Sequence, residues 1–124
     1  MPWEANYGEV SDVLSVRFWG EVTLSTWRRQ LEESIEQARA HSCTHYLIDY
    51  RDSEMKMSFV ELFSRPKIYG ELGMPHQARI ALIFRDDYPE RKFTELVTQN
   101  RGYYVKTFNS SEDAISWLSS IYLE

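Results

Sequence analysis

Acidic side chains follow two of the apolar runs in the sequence. Asp49 and Asp52 lie at the end of one run, and Asp86 and Asp87 come directly after the other. Carboxylates that converge at the ends of neighbouring strands can hold Mg²⁺, a cation that needs several oxygen ligands. A turn explains Asp86 and a helix start explains Asp87 without any metal. The sequence therefore predicts no metal site.

The other residue types that carry out catalysis are scattered. His41, His45 and His76 fall at a helix end, a strand start and a loop, and no pair of them has ligand spacing. No serine-nucleophile motif or glycine-rich phosphate loop accompanies them. Cys43 fits a buried or edge thiol better than a nucleophile, because free cysteine is among the most often buried residues. We expect a protein that is not an enzyme and that needs no cofactor.

The spacing of apolar residues predicts five strands and four helices. The first two strands are joined near Ser11-Asp12 by a turn so short that they must form an antiparallel hairpin. The later strands are separated by helices, which requires parallel pairing and right-handed crossovers. The predicted strands are Trp3 to Val10, Val13 to Val22, Tyr46 to Tyr50, Arg79 to Phe84 and Tyr103 to Phe108. The first predicted helix runs from Leu24 to His41, and the second from Ser58 to Gly70 or Gly73. The third begins within Asp87–Glu90 and stops at Gly102. The fourth begins at Asn109 or Ser110 and continues through Tyr122. The predicted fold is α/β, a mixed five-stranded sheet with an N-terminal antiparallel hairpin, parallel β-α units and about four helices.

The segment after the central strand begins with the sequence of a capping box. In Ser58-Phe59-Val60-Glu61, the serine and glutamate side chains bind each other's backbone N–H groups. We expect Phe59, Leu62 and Phe63 to face inward on this helix. Pro66 lacks a backbone N–H, which predicts a kink or a restart of the helix there.

Two other details concern buried faces and bulges. On the third helix, we expect Phe93, Leu96 and Val97 to face the core. Gly20 interrupts the second strand, which is typical of a bulge or of a close backbone approach.

Composition narrows the classes of function. The 124 residues carry 14 basic and 19 acidic side chains, a net charge of −5, and contain no basic block. A nucleic-acid partner is not expected. Every apolar run is far shorter than the ~20 residues of a membrane span, and the N-terminus lacks signal-peptide features. The single cysteine cannot form an internal disulfide. We expect one domain over residues 1–124, in the cytoplasm.

Short motifs along nearly the whole chain point to a family. They are Phe18-Trp19-Gly20-Glu21-Val22-Thr23 leading into Trp27, Leu47-Ile48-Asp49-Tyr50-Arg51, Arg79-Ile80-Ala81-Leu82-Ile83-Phe84, Asn100-Arg101-Gly102-Tyr103, and Ala114 with Trp117-Leu118. With these motifs, the chain resembles the SpoIIAA-like, STAS-type family, especially its stand-alone bacterial branch. The resemblance implies a non-enzymatic regulatory domain that acts through a protein partner, as anti-sigma-factor antagonists do.

The same resemblance implies a phospho-acceptor. Antagonists of this family are switched by phosphorylation of a serine at a helix start, and aligning the central strand brings Ser58 to that position. Ser53, expected in the same turn, is a second candidate. The family's serine commonly follows an aspartate and precedes a small residue and a glycine, whereas Ser58 follows Met57 and precedes Phe59.

An alternative function is suggested by apolar residues around the second helix. Methionine and aromatic side chains form adaptable binding surfaces. The wider fold resembles CRAL-TRIO lipid carriers, which implies a groove for a lipid or small apolar ligand. The candidate groove residues are Met55, Met57, Phe59, Phe63, Tyr69 and Met74. A homodimer through the edge of the N-terminal hairpin is a further expectation, because unpaired strand edges invite pairing.

Overall fold

A computed structural model describes residues 2–120 of the chain. Its strands are β1 (Trp3–Gly8), β2 (Val13–Val22), β3 (His45–Met55), β4 (Arg79–Ile83) and β5 (Tyr104–Phe108). Its helices are α1 (Leu24–Ala40), α2 (Phe59–Glu71), α3 (Arg91–Gln99) and α4 (Ser111–Ser119). The strands lie side by side in the order β1-β2-β3-β4-β5. The β1–β2 pair is antiparallel and all the other pairs are parallel. The predicted α/β fold is confirmed.

The helices divide between the two faces of the sheet. Successive right-handed crossovers in one direction place α1, α2 and α3 on the same face. The larger core lies there, and α1 contributes Trp27, Leu31, Ile35 and Ala38 at the spacing of one helical stripe. On the other face, α4 packs on β4 and β5 and buries Ala114 and Leu118 in a smaller core. Ile121 and Tyr122, which we expected in this closing helix, lie outside the described residues.

The structure differs from expectation in the second half of β3. We expected a turn from Arg51, but β3 continues to Met55, paired with the end of β2. The register between the two strands shifts at Arg17 to Trp19, next to Gly20, whose φ is +72°. From Arg17 to Trp19, β3 advances by three residues, from Asp49 to Asp52, so the extra residue lies in β3 and the predicted bulge is not at Gly20 itself. The pairing of β3 with β4 ends earlier, at Asp49 and Ile83, so the β2–β3 pair projects beyond the rest of the sheet.

Two helices, α2 and α3, also differ from their predicted forms. The α2 helix continues through Pro66 to Glu71, so it does not restart there, and the kink that the sequence predicts as the alternative stays a prediction. Proline is buried there, and packing holds the helix together across the missing hydrogen bond. The α3 helix begins at Arg91, after Asp87, whose carboxylate binds the Arg85 guanidinium at 3.2 Å. Asp87 is thus not the helix cap.

Candidate functional site

The connection from β3 to α2 ends in a complete capping box. The Ser58 hydroxyl accepts a hydrogen bond from the Glu61 backbone N–H at 3.2 Å, and Glu61 Oε1 accepts one from the Ser58 N–H at 2.9 Å. Both bonds satisfy N–H groups that a helix start leaves without partners. Ser58 itself is exposed. The predicted helix start is confirmed, and its serine is accessible from solvent.

Ser53 lies elsewhere than expected. It is a β3 residue paired with Gly20 of β2, not a turn residue. Its side chain is buried, and its hydroxyl donates to the Tyr50 carbonyl oxygen at 2.6 Å. An enzyme could phosphorylate this hydroxyl only after the strand had opened.

The six candidate groove residues do not share one surface. Tyr69 and Met74 are buried in the larger core, so their assignment to a groove is wrong. Met55 and Met57 are half-buried at the border of that core. The cavity that Met55 lines has a volume of about 20 Å³. That is room for roughly one water molecule, whereas pockets for small ligands measure roughly 300–1,000 Å³.

The other two candidates belong to an exposed apolar surface. Phe59 is 63% exposed and Phe63 56%, together with Val60 at 78% and Leu96 at 53%. The rings of Phe59 and Phe93 meet edge to face, with centroids 5.3 Å apart, and join α2 to α3. We call Phe59, Val60, Phe63, Phe93 and Leu96 the α2–α3 patch. Other large apolar side chains with comparable exposure are spread over separate elements: Val10, Trp19, Tyr104 and Ile115.

The patch is exposed because α2 uses an unexpected stripe to contact the sheet. Its buried residues are Leu62, Arg65, Pro66, Ile68 and Tyr69. Leu62, Arg65 and Tyr69 follow each other at spacings of three and four, which places them on one helical face. The expectation that Phe59, Phe63 and Leu96 face inward is wrong. Because Arg65 is charged, the spacing of apolar residues alone did not predict that its stripe is the buried one.

Arg65 is held by aromatic rings. It is only 1% exposed, and its guanidinium lies 4.5 Å from the Trp27 ring centroid. Arg65 Nη2 donates to the Tyr50 hydroxyl at 2.9 Å, and Trp27 Nε1 donates to the same oxygen at 3.2 Å. Among the described residues, no carboxylate forms an ion pair with Arg65, and its Nη1 has no hydrogen-bond partner. Burial in this cluster raises the pKa of the neighbouring Tyr69 hydroxyl.

Tyr50 also belongs to a stack of four aromatic rings across the sheet. Phe18 and Tyr50 stack with centroids 5.1 Å apart, Tyr50 and Phe84 at 4.9 Å, and Phe84 and Tyr88 at 4.6 Å. This stack connects β2, β3 and the end of β4 to the segment before α3. Three of its rings, those of Phe18, Tyr50 and Phe84, belong to the larger core, on the face of the sheet where α2 and α3 pack.

Basic side chains border the patch. Lys67 lies one helical turn beyond Phe63, and Lys92 lies one turn before Leu96. Lys67 is exposed, and the Lys92 side chain is 74% exposed. The Lys92 Nζ atom lies 3.7 Å from Glu95 Oε1 and forms an ion pair with it. Half-buried Arg91 begins α3. Neither Lys67 nor Arg91 forms an ion pair with another described residue.

Two of the acidic side chains nearby are hydrogen-bonded, and a third is half-buried. Glu61 is occupied in the capping box. Glu95 is buried and accepts hydrogen bonds from the Thr107 N–H at 3.0 Å and the Thr107 hydroxyl at 2.5 Å. Burial acts to raise the pKa of Glu95, but these hydrogen bonds outweigh it and the pKa is lowered. Half-buried Glu90, at the start of α3, forms no side-chain cap bond.

The four carboxylates at the strand ends each bind another side chain. Asp49 pairs with Arg51, Asp52 with Arg17, and Asp87 with Arg85, while Asp86 accepts from Asn109. Hydrogen bonds from Arg51 outweigh burial and lower the pKa of Asp49. Within residues 2–120, no three histidine, cysteine or acidic side chains are grouped as metal ligands. No helix in this range is long and apolar enough to cross a bilayer.

Solved structures with the same architecture were found by structural comparison. An uncharacterized DUF3478-family protein with a SpoIIAA-like fold from Shewanella loihica has a TM-score of 0.65 at 21% identity, covering 94% of this chain and 93% of that one. An anti-sigma factor antagonist from Mycobacterium paratuberculosis has a TM-score of 0.60 at 18% identity, covering 94% of each chain. The antagonist SpoIIAA in its unphosphorylated form has a TM-score of 0.56 at 15% identity, covering 96% of this chain and 99% of that one.

The other comparisons gave no match. No protein-family model matches the sequence, and no curated protein matches it significantly. At identities this low, the structural similarity shows a shared fold and does not by itself assign a function. Within residues 2–120, the four helices, the antiparallel β1–β2 hairpin and the parallel remainder of the sheet show that this chain has the SpoIIAA-like fold.

Proposed function

We propose that this protein is a non-enzymatic regulatory domain that binds a protein partner through the α2–α3 patch. The observation that carries the proposal is the exposure of Phe59, Val60, Phe63 and Leu96 on two adjacent helices. Together they present roughly 400 Å² of apolar surface, within the range of the largest patch on a typical monomer, which is often functional. This is about half of what one partner contributes to a standard protein–protein interface.

Structural neighbours that are anti-sigma factor antagonists support a regulatory role. The four carboxylates at the strand ends each bind another side chain, which supports a structural rather than a catalytic role for these four groups. Cys43 is a free, buried thiol, which fits a reducing compartment such as the cytoplasm.

In the proposed mechanism, binding does not depend on phosphorylation. Ser58 is exposed at the start of α2, where a helix N-terminus favours negative charge. However, its hydroxyl already accepts the Glu61 N–H, and the Glu61 carboxylate lies in the same turn. A phosphate on Ser58 would repel that carboxylate and disrupt the capping box. Phosphorylation of Ser58 would therefore change the start of α2 next to Phe59, and would act as a modulator of binding.

The test is affinity capture from a lysate of the source organism with matched variants. Phe63→Asp introduces a charge at the centre of the patch. Ile115→Asp is the control, because Ile115 is 50% exposed and lies on α4 at the opposite face of the sheet. We expect both variants to fold, since substitutions at exposed positions usually change stability by about 0.5 kcal/mol or less.

The expected result is a protein retained by the wild type and by Ile115→Asp, and lost with Phe63→Asp. Equal retention by all three proteins would show that the partner binds elsewhere. If no protein is retained and lipid co-purifies instead, the partner proposal fails in favour of the apolar-ligand alternative. The same samples, analysed by intact mass, would show whether Ser58 carries a phosphate.

A further inference from the structure

The strand β5 lies at an edge of the sheet. Within residues 2–120 the sheet ends at β5, which pairs with β4 on one side. The Phe84 N–H donates to the Phe108 carbonyl oxygen at 2.9 Å, so the backbone of Phe108 faces β4. Backbone groups alternate in direction along a strand, so those of Val105 and Thr107 point outward from the sheet. Outward groups of an edge strand form a template on which another chain can add a strand.

Two side chains of α3 bind these outward groups. Gln99 Nε2 donates to the Val105 carbonyl oxygen at 2.9 Å, and Glu95 Oε2 accepts from the Thr107 N–H at 3.0 Å. Glu95 and Gln99 are four residues apart and therefore project from the same side of α3. Gln99 Nε2 also lies 3.4 Å from Glu95 Oε1. We call the Gln99–Val105 and Glu95–Thr107 hydrogen bonds the edge contacts.

The edge contacts reproduce the bonds that one residue of a further parallel strand would make. In a parallel ladder, such a residue donates its N–H to one carbonyl of its neighbour and accepts from the N–H two residues further on. The Val105 carbonyl and the Thr107 N–H are two groups of this kind. The Gln99 amide supplies the donor, and the Glu95 carboxylate supplies the acceptor. An added strand would have to displace both side chains from the same backbone atoms.

The Glu95 contact is the stronger of the two. Its carboxylate also accepts from the Thr107 hydroxyl at 2.5 Å, and both residues are buried. Hydrogen bonds to an ionised carboxylate are roughly twice as strong as bonds between neutral groups. Gln99 is exposed, so water can compete for its amide. Glu95 therefore contributes most of the resistance to displacement.

The opposite edge of the sheet has a similar but smaller contact. The Trp19 N–H donates to the Pro2 carbonyl oxygen at 3.0 Å, so by alternation the backbone of Ala5 points away from β2. Gln37 of α1 donates to the outward Ala5 carbonyl oxygen at 3.3 Å. This bond covers an acceptor of β1, whereas α3 covers an acceptor and a donor of β5. The expected homodimer through the hairpin edge stays a prediction.

We propose that Glu95 and Gln99 keep the β5 edge closed to strand pairing with a second copy of this chain. The inference concerns this strand edge and does not depend on a partner at the α2–α3 patch. The segment Tyr104–Phe108 is rich in residues that favour strands, which makes an open edge here prone to pairing. Without the edge contacts, β5 strands of two copies would pair antiparallel about a two-fold axis, with exposed Lys106 of each copy close to that axis.

The test places a cysteine on β5 and measures cross-linked dimers of the full chain. Opposed residues that are not hydrogen-bonded in an antiparallel pair have Cα atoms ~4.5 Å apart, close enough for a disulfide or a short bismaleimide cross-linker. K106C retains the edge contacts and is expected to cross-link little. E95A/Q99A/K106C is expected to give about tenfold more cross-linked dimer at equal protein concentration, because pairing no longer displaces two hydrogen bonds. Buried Cys43 is the same in every variant.

Matched variants separate the edge contacts from charge and stability. E36A/Q77A/K106C makes the same change of composition and charge at exposed positions outside α3 and β5, and is expected to behave like K106C. E95Q/K106C loses the charge but keeps a side-chain oxygen that can accept from the Thr107 N–H, so it should also cross-link little. Circular dichroism confirms folding. Q99A/K106C, expected to show a smaller increase, replaces E95A/Q99A/K106C if that protein does not fold.

An increase confined to the variants that lose an edge contact supports the inference. Equal cross-linking of K106C and E95A/Q99A/K106C contradicts it, because the edge would then be closed without the contacts or open despite them. If E95Q/K106C cross-links as much as E95A/Q99A/K106C, charge or stability is the cause and the inference fails. The same increase in E36A/Q77A/K106C would also overturn it. The lysate capture with Phe63→Asp is a separate measurement, so either proposal can fail without the other.

Discussion

Replacing Arg65 tests whether a buried cation can be held by aromatic rings without a carboxylate. The guanidinium lies over Trp27, donates to the Tyr50 hydroxyl and is almost completely excluded from solvent. Arg65→Met keeps most of the side-chain volume and removes the charge. Arg65→Ala removes the volume as well. The difference between these two variants separates the electrostatic contribution of Arg65 from its packing contribution.

The expected magnitudes follow from these contacts. Arg65→Met loses a desolvated cation–π contact of about 2 kcal/mol and a charged hydrogen bond of about 2 kcal/mol. It also removes the unfavourable burial of an unpaired charge, which amounts to several kcal/mol. The Tyr50 hydroxyl still accepts from Trp27 Nε1. We therefore expect the free energy of unfolding of Arg65→Met to lie within about 1 kcal/mol of the wild type.

Arg65→Ala should be much less stable, because it leaves a cavity between α2 and the sheet. Shortening a buried side chain of this size to alanine costs about 3 kcal/mol, which corresponds to a Tm about 12 °C below that of Arg65→Met. Urea unfolding followed by tryptophan fluorescence and circular dichroism measures both variants. Lys67→Met, on the exposed side of the same helix, is the control and should change stability by about 0.5 kcal/mol or less.

A loss of more than about 3 kcal/mol in Arg65→Met would refute this reasoning. Such a loss is typical of a broken buried ion pair, and would mean that a carboxylate or a bound anion neutralises Arg65 in solution. Comparable losses in Arg65→Met and Arg65→Ala would show that packing contributes little at this position.

Three further predictions concern the cap, the α3–β5 contact and the cysteine. Ser58→Ala should lower the free energy of unfolding by about 1 kcal/mol, measured by urea unfolding, through loss of the capping bond; no loss would mean that the α2 cap is not formed. Because the pKa of Glu95 is lowered in the folded state, its stabilisation is complete above the ordinary glutamate pKa of about 4.3 and is lost as the pH falls through the lowered value. Glu95→Gln should therefore be less stable than the wild type near neutral pH, and the difference should shrink in acid; a constant difference across a pH series of melting curves would contradict this. Burial raises the pKa of Cys43, so its thiol should react with Ellman's reagent slowly in the folded protein and rapidly in urea, and equal rates would mean that the thiol is accessible.

The fold could be predicted because most of its elements carry local signals. The bounds of β2 were predicted to the residue and the start of α1 was correct, since alternation and a single apolar stripe define them. The second half of β3 could not be predicted in this way. Arg51, Asp52 and Glu54 are charged, and this segment forms a strand because the end of β2 provides a partner for its backbone. A strand that depends on pairing with a distant segment has no local sequence signature.

The position of the helix that carries the proposed site could be predicted, but the face that it turns to solvent could not. The start of α2 was correctly placed at Ser58, but its apolar residues occupy more than one face, and either face could have been the buried one. Arg65 decides the matter, because Trp27 and Tyr50 give its charge a favourable environment inside the protein. Those two residues come from α1 and β3, so only the assembled fold reveals that Phe59 and Phe63 face solvent.

The sequential order of the strands has a consequence for how the chain folds. Every strand pairs with the strand that precedes or follows it in the sequence, so each addition to the sheet closes a loop about as long as one helix and its turns. Each of these loops is shorter than a connection that skipped a strand would be, and a shorter loop costs less entropy to close. A nascent chain leaving the ribosome can form the β1–β2 hairpin first and then add β3, β4 and β5 in the order of synthesis. In that order of synthesis, the α3 half of the proposed binding surface gains its anchor, the hydrogen bonds between Glu95 and Thr107, only after β5 has been made.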